Sequence, residues 1–366
     1  MEKNNKSIDW ILLIFVVILV LIGFMMVFSS SYPYGYYNFN GNGFYFFEKQ
    51  LIAGIIGIVA MFIASFVNYK IYRKLSGVFL LFSIIAGISL FTAYGTEANG
   101  AQRWISIGPL TLQPSEIIKV SSIIYLAYLL EKKNKVIHKF KDGFIPIVFW
   151  IVFFGGLIVI QKDLSTSMVL VITLGIMYFV AGANLFYIFI SLGLLGGVSY
   201  YLVIQEQYRI DRVVSFIDPF KYKQTLGWQV VQSLYAFGTG GLIGTGLGQS
   251  RQKFFYIPEP YNDFIFSIIG EEVGYIGAIL VIVCYIIVIW RGLRISINAD
   301  DLFGSYIATG LTSLIGIQAF IHIAVVTSSM PPTGIALPFI SAGGTSLVIL
   351  LGSIGVLLNI SKYAEI

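Results

Sequence analysis

Ten stretches of mostly apolar residues follow one another along the chain, at about 10–29, 51–67, 75–94, 115–130, 144–160, 165–182, 185–204, 263–290, 304–327 and 338–358. Each approaches the roughly 20 residues that a helix needs to cross the hydrocarbon of a bilayer. Lipid offers the backbone no hydrogen bonds, so runs of this kind close their own as helices. The charge content agrees: Asp, Glu, Lys and Arg make up 11% of 366 residues, against about 25% in a typical soluble domain. So few charges exclude a cytosolic globular enzyme, a disordered chain and a nucleic-acid binder. The expectation is an all-α polytopic membrane protein of about ten transmembrane helices. It forms a single membrane domain over 1–366, with no internal repeat.

The run from Trp10 to Phe28 is longer than a signal-peptide core and reads as a retained first span. Cys284 is the only cysteine, and no Cys/His cluster has zinc-ligand spacing. The basic residues set the orientation. Lys3, Lys6, Lys70, Arg73, Lys74, the lysines between Lys132 and Lys141, Arg291, Arg294 and Lys362 share one side. The opposite short loops carry Lys49, Arg103 and Lys162. Both termini are therefore expected in the cytoplasm. Two longer segments face outward, about 95–114 and 205–262. The second, a large extracytoplasmic loop between spans 7 and 8, carries six basic residues against the charge rule.

Ionisable residues at membrane depth are functional candidates by default. Here they are Glu116, Lys119, Asp163, Asp263, Glu271, Glu272 and His322. Asp263 is the sharpest. Pro258 and Pro260 precede it and favour extended backbone, which places it at the outer start of the eighth span. It is there either an N-cap or a general base, with burial raising its pKa and the helix terminus lowering it. Glu116 and Lys119 share a helix face, as an internal ion pair or as polar groups on a cavity. Glu271 and Glu272 point about 100° apart, so at most one readily faces the cavity of Asp263; the other reading is a structural anchor. The glycine run Gly238–Gly248 lacks the Walker Gly-Lys-Ser/Thr and reads as a tight or re-entrant segment, with diphosphate binding near Arg251 and Lys253 as the alternative. His322 reads as a buried neutral histidine in mid-span.

At these residues the chain resembles the SEDS polytopic proteins, the FtsW/RodA/SpoVE group, over almost its whole length. The stretches are Asn99-Gly100-Ala101-Gln102-Arg103-Trp104-Ile105, Gln113-Pro114-Ser115-Glu116 with Lys119, Gln161 to Thr166, Lys253 to Asp263 continuing into Gly270-Glu271-Glu272, and Pro338 to Ser346. The stretch Ala236 to Lys253 and the Asn99-Gly100-Ala101 triplet look like the FtsW/SpoVE side of the group. The chain departs from the family at Gln161-Lys162-Asp163 (often Gln-Pro-Asp), Tyr261-Asn262 (often His-Thr), His322 (often Asn) and Ala342 (often Tyr or Phe).

The resemblance implies a peptidoglycan glycosyltransferase. Such a protein polymerises lipid II at the outer face of the bacterial cytoplasmic membrane, for septal or spore wall, beside a class B penicillin-binding protein. Asp263 falls on the family's essential aspartate, and Arg103 and Trp104 on its outer-loop motif. Glu116, Lys119 and Glu271 match its cavity positions. Arg103, Lys119, Arg251 and Lys253 are the candidate cations for the undecaprenyl diphosphate of the growing glycan. No ligand cluster demands a metal; a divalent cation, Mg or Mn, at the diphosphate is the one cofactor left open. The rival reading is a lipid-linked precursor flippase or transporter, which would need polar groups through the midplane.

Overall fold

The computed structural model describes residues 7–90, 95–98, 101–107 and 110–365. Asn99 and Gly100 of the Asn-Gly-Ala motif lie outside the described residues. The described elements run α1 (Trp10–Asn38), α2 (Tyr45–Phe66), α3 (Lys70–Lys74), α4 (Ser76–Ser89), β1 (Gly95–Ala98), β2 (Ala101–Ile107), β3 (Leu110–Leu112) and α5 (Pro114–Lys133). There follow α6 (Ile145–Val159), α7 (Leu164–Val180), α8 (Leu185–Ile204), α9 (Gln207–Ile217) and α10 (Trp228–Gly240). The last four are α11 (Ile265–Glu272), α12 (Gly274–Ile297), α13 (Leu302–Val326) and α14 (Gly344–Ser361).

Seven described helical segments are long and apolar enough to cross a membrane, and α4 and α7 are shorter apolar helices. With α5, which carries Glu116 and Lys119, these fall on the ten apolar stretches of the sequence. The protein is a multi-pass membrane protein. Helix α13 is the most enclosed of the seven segments, while α8 has no buried residue. Lipid removes the hydrophobic drive between helices, so close packing needs small residues. Between α2 and α14, a Cβ on Gly57 or Gly355 would collide with Leu351 or the Met61 backbone.

Three features depart from a simple helical reading. The segment after α4 folds as a three-stranded antiparallel sheet, with Thr96 opposite Trp104 and Ile105 opposite Leu112. Thr345 donates to the Thr111 carbonyl at 2.8 Å and pins that sheet to α14. The eighth apolar stretch is also broken rather than continuous: α11 stops, Gly274 takes φ 75°, and α12 begins. The glycine run fills the break. Thr245 and Gly246 N–H groups donate to the Glu271 and Glu272 carbonyls, and Gly241 and Leu242 carbonyls accept from Tyr275 and Ile276. Backbone groups freed by the break are thereby satisfied inside the protein. A Cβ on Gly274 would strike the Gly244 backbone nitrogen, which explains a glycine on each side.

The third departure is at the two prolines. Residues 252–264 are a succession of turns, not an extended run. Glu259, which precedes Pro260, has φ 45°, and Asn262 N–H closes back on its carbonyl at 3.0 Å. Proline forbids the right-handed helical region to its predecessor but leaves other conformations open. This strap, residues 241–264, delivers Asp263 to the sheet end of the bundle. The start of α1 and the end of α14 lie at the other end, where Arg291 pairs with Asp9 at 2.8 Å and the Asp9 N–H donates to Ser361.

Candidate functional site

Helix α5 begins with Pro114 at its first turn, where a missing N–H costs nothing. Its next turns place Glu116 and Lys119 one above the other, 2.8 Å apart and both buried. Strand β2 brings Arg103 and Trp104 over them. Asp163 caps α7, accepting from the Thr166 N–H at 3.1 Å and its hydroxyl at 2.8 Å. These side chains and Asp263 line one cavity of about 600 Å³ at the sheet end. The ion-pair and cavity readings of Glu116 and Lys119 therefore hold together.

Asp263 does not cap a helix. The N-cap of α11 is Phe264, without a side-chain cap bond. The Asp263 carboxylate instead faces the cavity, half-buried, with Gly334 against it. Burial, then the nearby Glu259, push its pKa up to about 6, against the pull of Arg212 and Arg103. Such a carboxylate is ionised at neutral pH yet basic enough to take a proton.

Arg103 donates to the Lys162 carbonyl at 2.6 Å. Lys162 has φ 56°, a conformation closed to proline. The departure at Gln161-Lys162-Asp163 therefore has a backbone consequence, since it turns a carbonyl toward Arg103. Two other departures also meet beside Asp263. The Ala342 N–H donates to the Tyr261 carbonyl at 2.9 Å, and Ser341 donates to the Asn262 carbonyl at 2.8 Å. The Tyr261 ring packs on Phe46, centroids 4.3 Å apart.

Arg251, Lys253 and Glu271 are not brought to this cavity. Glu271 accepts from the Arg251 N–H at 3.0 Å and from the Ser250 hydroxyl at 2.5 Å. Lys253 is buried and pairs with Glu272 at 2.8 Å. Arg251 is exposed outside the cavity. The two glutamates are anchors for the strap, because its free N–H groups need acceptors.

Sequence reasoning did not single out Arg212, Tyr208 or Gln318, which line the cavity. Arg212 was one of six bases in a long loop. The signal lay in α9, where Tyr208, Asp211, Arg212 and Ser215 follow helical spacing and form one face. His322 is not in mid-span: it lies one turn from the end of α13, its Nδ1 2.8 Å from the Ile335 carbonyl. Among the described residues no three His, Cys, Asp or Glu side chains gather as metal ligands.

A multi-pass helical bundle with Asp263, Asp163, the Glu116–Lys119 pair, Arg103 and Arg212 gathered about one cavity at its sheet end defines a membrane protein with a charged cavity at one face. The FtsW/RodA/SpoVE family, described as cell cycle protein, matches residues 9–366, and the chain belongs to it. It is 44% identical to stage V sporulation protein E of Bacillus subtilis, over 100% of both chains. It is 39% identical to a probable peptidoglycan glycosyltransferase FtsW of Geobacter sp., over 98% of both. The fold matches the rod shape determining protein RodA of Thermus thermophilus, with TM-score 0.72, 22% identity and full coverage of both chains. It also matches a chain in a solved structure reported as "Structural coordination of polymerization and crosslinking by a peptidoglycan synthase complex", with TM-score 0.79 and 23% identity over 98% and 99%.

Proposed function

We propose that the protein is a peptidoglycan glycosyltransferase that polymerises lipid II at the outer face of the cytoplasmic membrane, with both termini in the cytoplasm. The FtsW relative's name supplies the reaction class. The observation that carries the reading is Asp263, unpaired among the described residues, with its pKa near 6 and Arg103 and Arg212 about the same cavity.

In this reading an acceptor lipid II presents its sugar 4-hydroxyl to Asp263. Asp263 removes the proton as the oxygen attacks the anomeric carbon of the donor glycan. The anomeric carbon–oxygen bond breaks, its electron pair leaves with undecaprenyl diphosphate, and the anomeric centre inverts. The diphosphate already carries charge, so it needs cations rather than an acid. Arg103 and Arg212, which line the cavity, would supply charge-assisted hydrogen bonds. Lys119, paired with Glu116, would offer the diphosphate an ammonium donor on the same cavity. A divalent cation would enter with the diphosphate.

The transport reading loses support from the anchoring of Glu271 and Glu272. A polar path through the midplane would have to draw on Glu116, Lys119, Glu271 and Glu272, and the last two are bound to the strap. A class B penicillin-binding protein is the proposed partner. The test is purified protein with that partner, its transpeptidase site inactivated, and labelled lipid II. Glycan polymer that is lost in Asp263→Asn is the expected result. No polymer where a control polymerase works would overturn the reading, and vesicle transport without polymer would replace it with a flippase.

A further inference from the structure

Asp263 stands in the wall between two chambers. Beside the large cavity lies a smaller, partly open one of about 230 Å³, bounded by α9, the start of α10, the end of α13 and Pro332–Ile335. Asp263, Tyr208 and Arg212 line both. The transfer described above assigns no role to the groups that line the small chamber alone.

Two of those groups are unusual. His322 is 1% exposed, and its Nδ1 meets the Ile335 carbonyl at 2.8 Å. A carbonyl only accepts, so Nδ1 carries the hydrogen, and in the neutral ring Nε2 is left as a lone pair. That Nε2 is buried without a partner, and so is the Thr333 hydroxyl. Buried polar atoms are seldom left unmet, and two on one chamber mark a place that a ligand completes. Leu226, Phe264 and Val325 form an apolar patch of the wall, beside the polar Asp211, Ser215 and Gln229.

We propose that the small chamber is a subsite for the acetamido group of the acceptor sugar, the ring whose hydroxyl faces Asp263; this rests on the glycosyltransferase reading. An acetamido group has the three features that the chamber complements. Its N–H is a donor for His322 Nε2, its carbonyl an acceptor for the Thr333 hydroxyl, and its methyl fits the apolar patch. The hydroxyl and the acetamido group are carried on one sugar ring. Asp263 and His322 likewise line one chamber.

The test uses the full chain with its transpeptidase partner and two acceptors. One is lipid II. The other carries a 2-acetoxy group in place of the acceptor's 2-acetamido, with the same shape but no N–H. A site built around a substrate donor rejects the analogue that lacks it. Wild type is expected to lose about tenfold or more in kcat/KM on the acetoxy acceptor, mainly through KM. His322→Phe removes the acceptor atom and is expected to treat the two substrates alike. Thr333→Val, on a loop, is expected to raise KM for both while keeping the discrimination; it tests the chamber if His322→Phe does not fold. Equal use of the two acceptors by wild type overturns the subsite alone. Discrimination that survives in His322→Phe, or an unchanged KM in Thr333→Val, also overturns it. A wild type that polymerises neither acceptor overturns the glycosyltransferase reading, and the subsite with it.

Discussion

Lys253 and Glu272 form a buried ion pair, Nζ to Oε1 2.8 Å, that fastens the strap to the last turn of α11. Ser29 of α1 completes the clamp, donating to both Glu272 oxygens at 2.7 and 2.8 Å. The strap ends at Asp263, so the clamp positions the proposed base from a distance.

Removing one partner of a buried pair leaves the other charge uncompensated and costs about 3–5 kcal/mol. Lys253→Met is therefore expected to lower the unfolding temperature in detergent sharply. Lys253→Met combined with Glu272→Gln leaves no orphaned charge and is expected to recover part of the loss. A double variant that is no more stable than Lys253→Met would show that the pair is not what holds the strap.

The raised pKa of Asp263 gives activity a defined acid limb. A general base works in its ionised form, so polymerisation is expected to fall as pH drops through about 6. Asp263→Asn is expected to lower the rate by about 10²-fold or more above that pH, with the difference narrowing in acid. The stability effect has the opposite direction. A carboxyl whose folded pKa exceeds its unfolded value binds its proton more tightly in the native state, so it is destabilising above that pKa and not below the unfolded one. Asp263→Asn should therefore melt above wild type at pH 7.5, with the gap closing toward pH 4. Melting curves across that range check it, and a gap that widens in acid would contradict the assigned environment.

Much of the site is legible in the sequence because membrane depth makes each charge rare. Glu116, Lys119 and Asp263 stand out for that reason, and the cavity gathers them. Loop charges carry no such signal. Arg251 and Lys253 looked equivalent to Arg212, yet only Arg212 reaches the cavity, because α9 turns that face inward while Glu271 and Glu272 bind the strap. The helix break at Gly274 was hidden by an unbroken apolar run, since hydropathy does not record a single positive φ. The sheet was hidden likewise, its strands being only four, seven and three residues long.

Arg212 and Arg251 offer a direct contrast between these loop charges. Arg212→Ala is expected to lower kcat/KM by about 10²-fold, the scale of one lost transition-state donor. Arg212→Lys should recover only part, since an ammonium lacks the two-pronged geometry of guanidinium on phosphate. Arg251→Ala, outside the cavity, should stay within about twofold of wild type. Initial rates on labelled lipid II measure all three, and a larger loss in Arg251→Ala than in Arg212→Ala would reverse the assignment of the phosphate-binding arginine.

Gly334 has φ 66°, and a Cβ built on it would lie 3.4 Å from Asp263 Oδ2. Two effects are therefore superposed at this position: backbone strain, and filling of the space beside the carboxylate, which a Cβ would meet in ordinary van der Waals contact. A left-handed conformation costs an ordinary residue about 1–2 kcal/mol, and asparagine tolerates it better than alanine. Gly334→Ala is expected to lose both stability and activity. Gly334→Asn should be the more stable of the two but no more active, because its side chain still fills the space beside Asp263. If Gly334→Asn instead recovered the wild-type rate, strain alone would account for the glycine, and the carboxylate would not need the open space beside it.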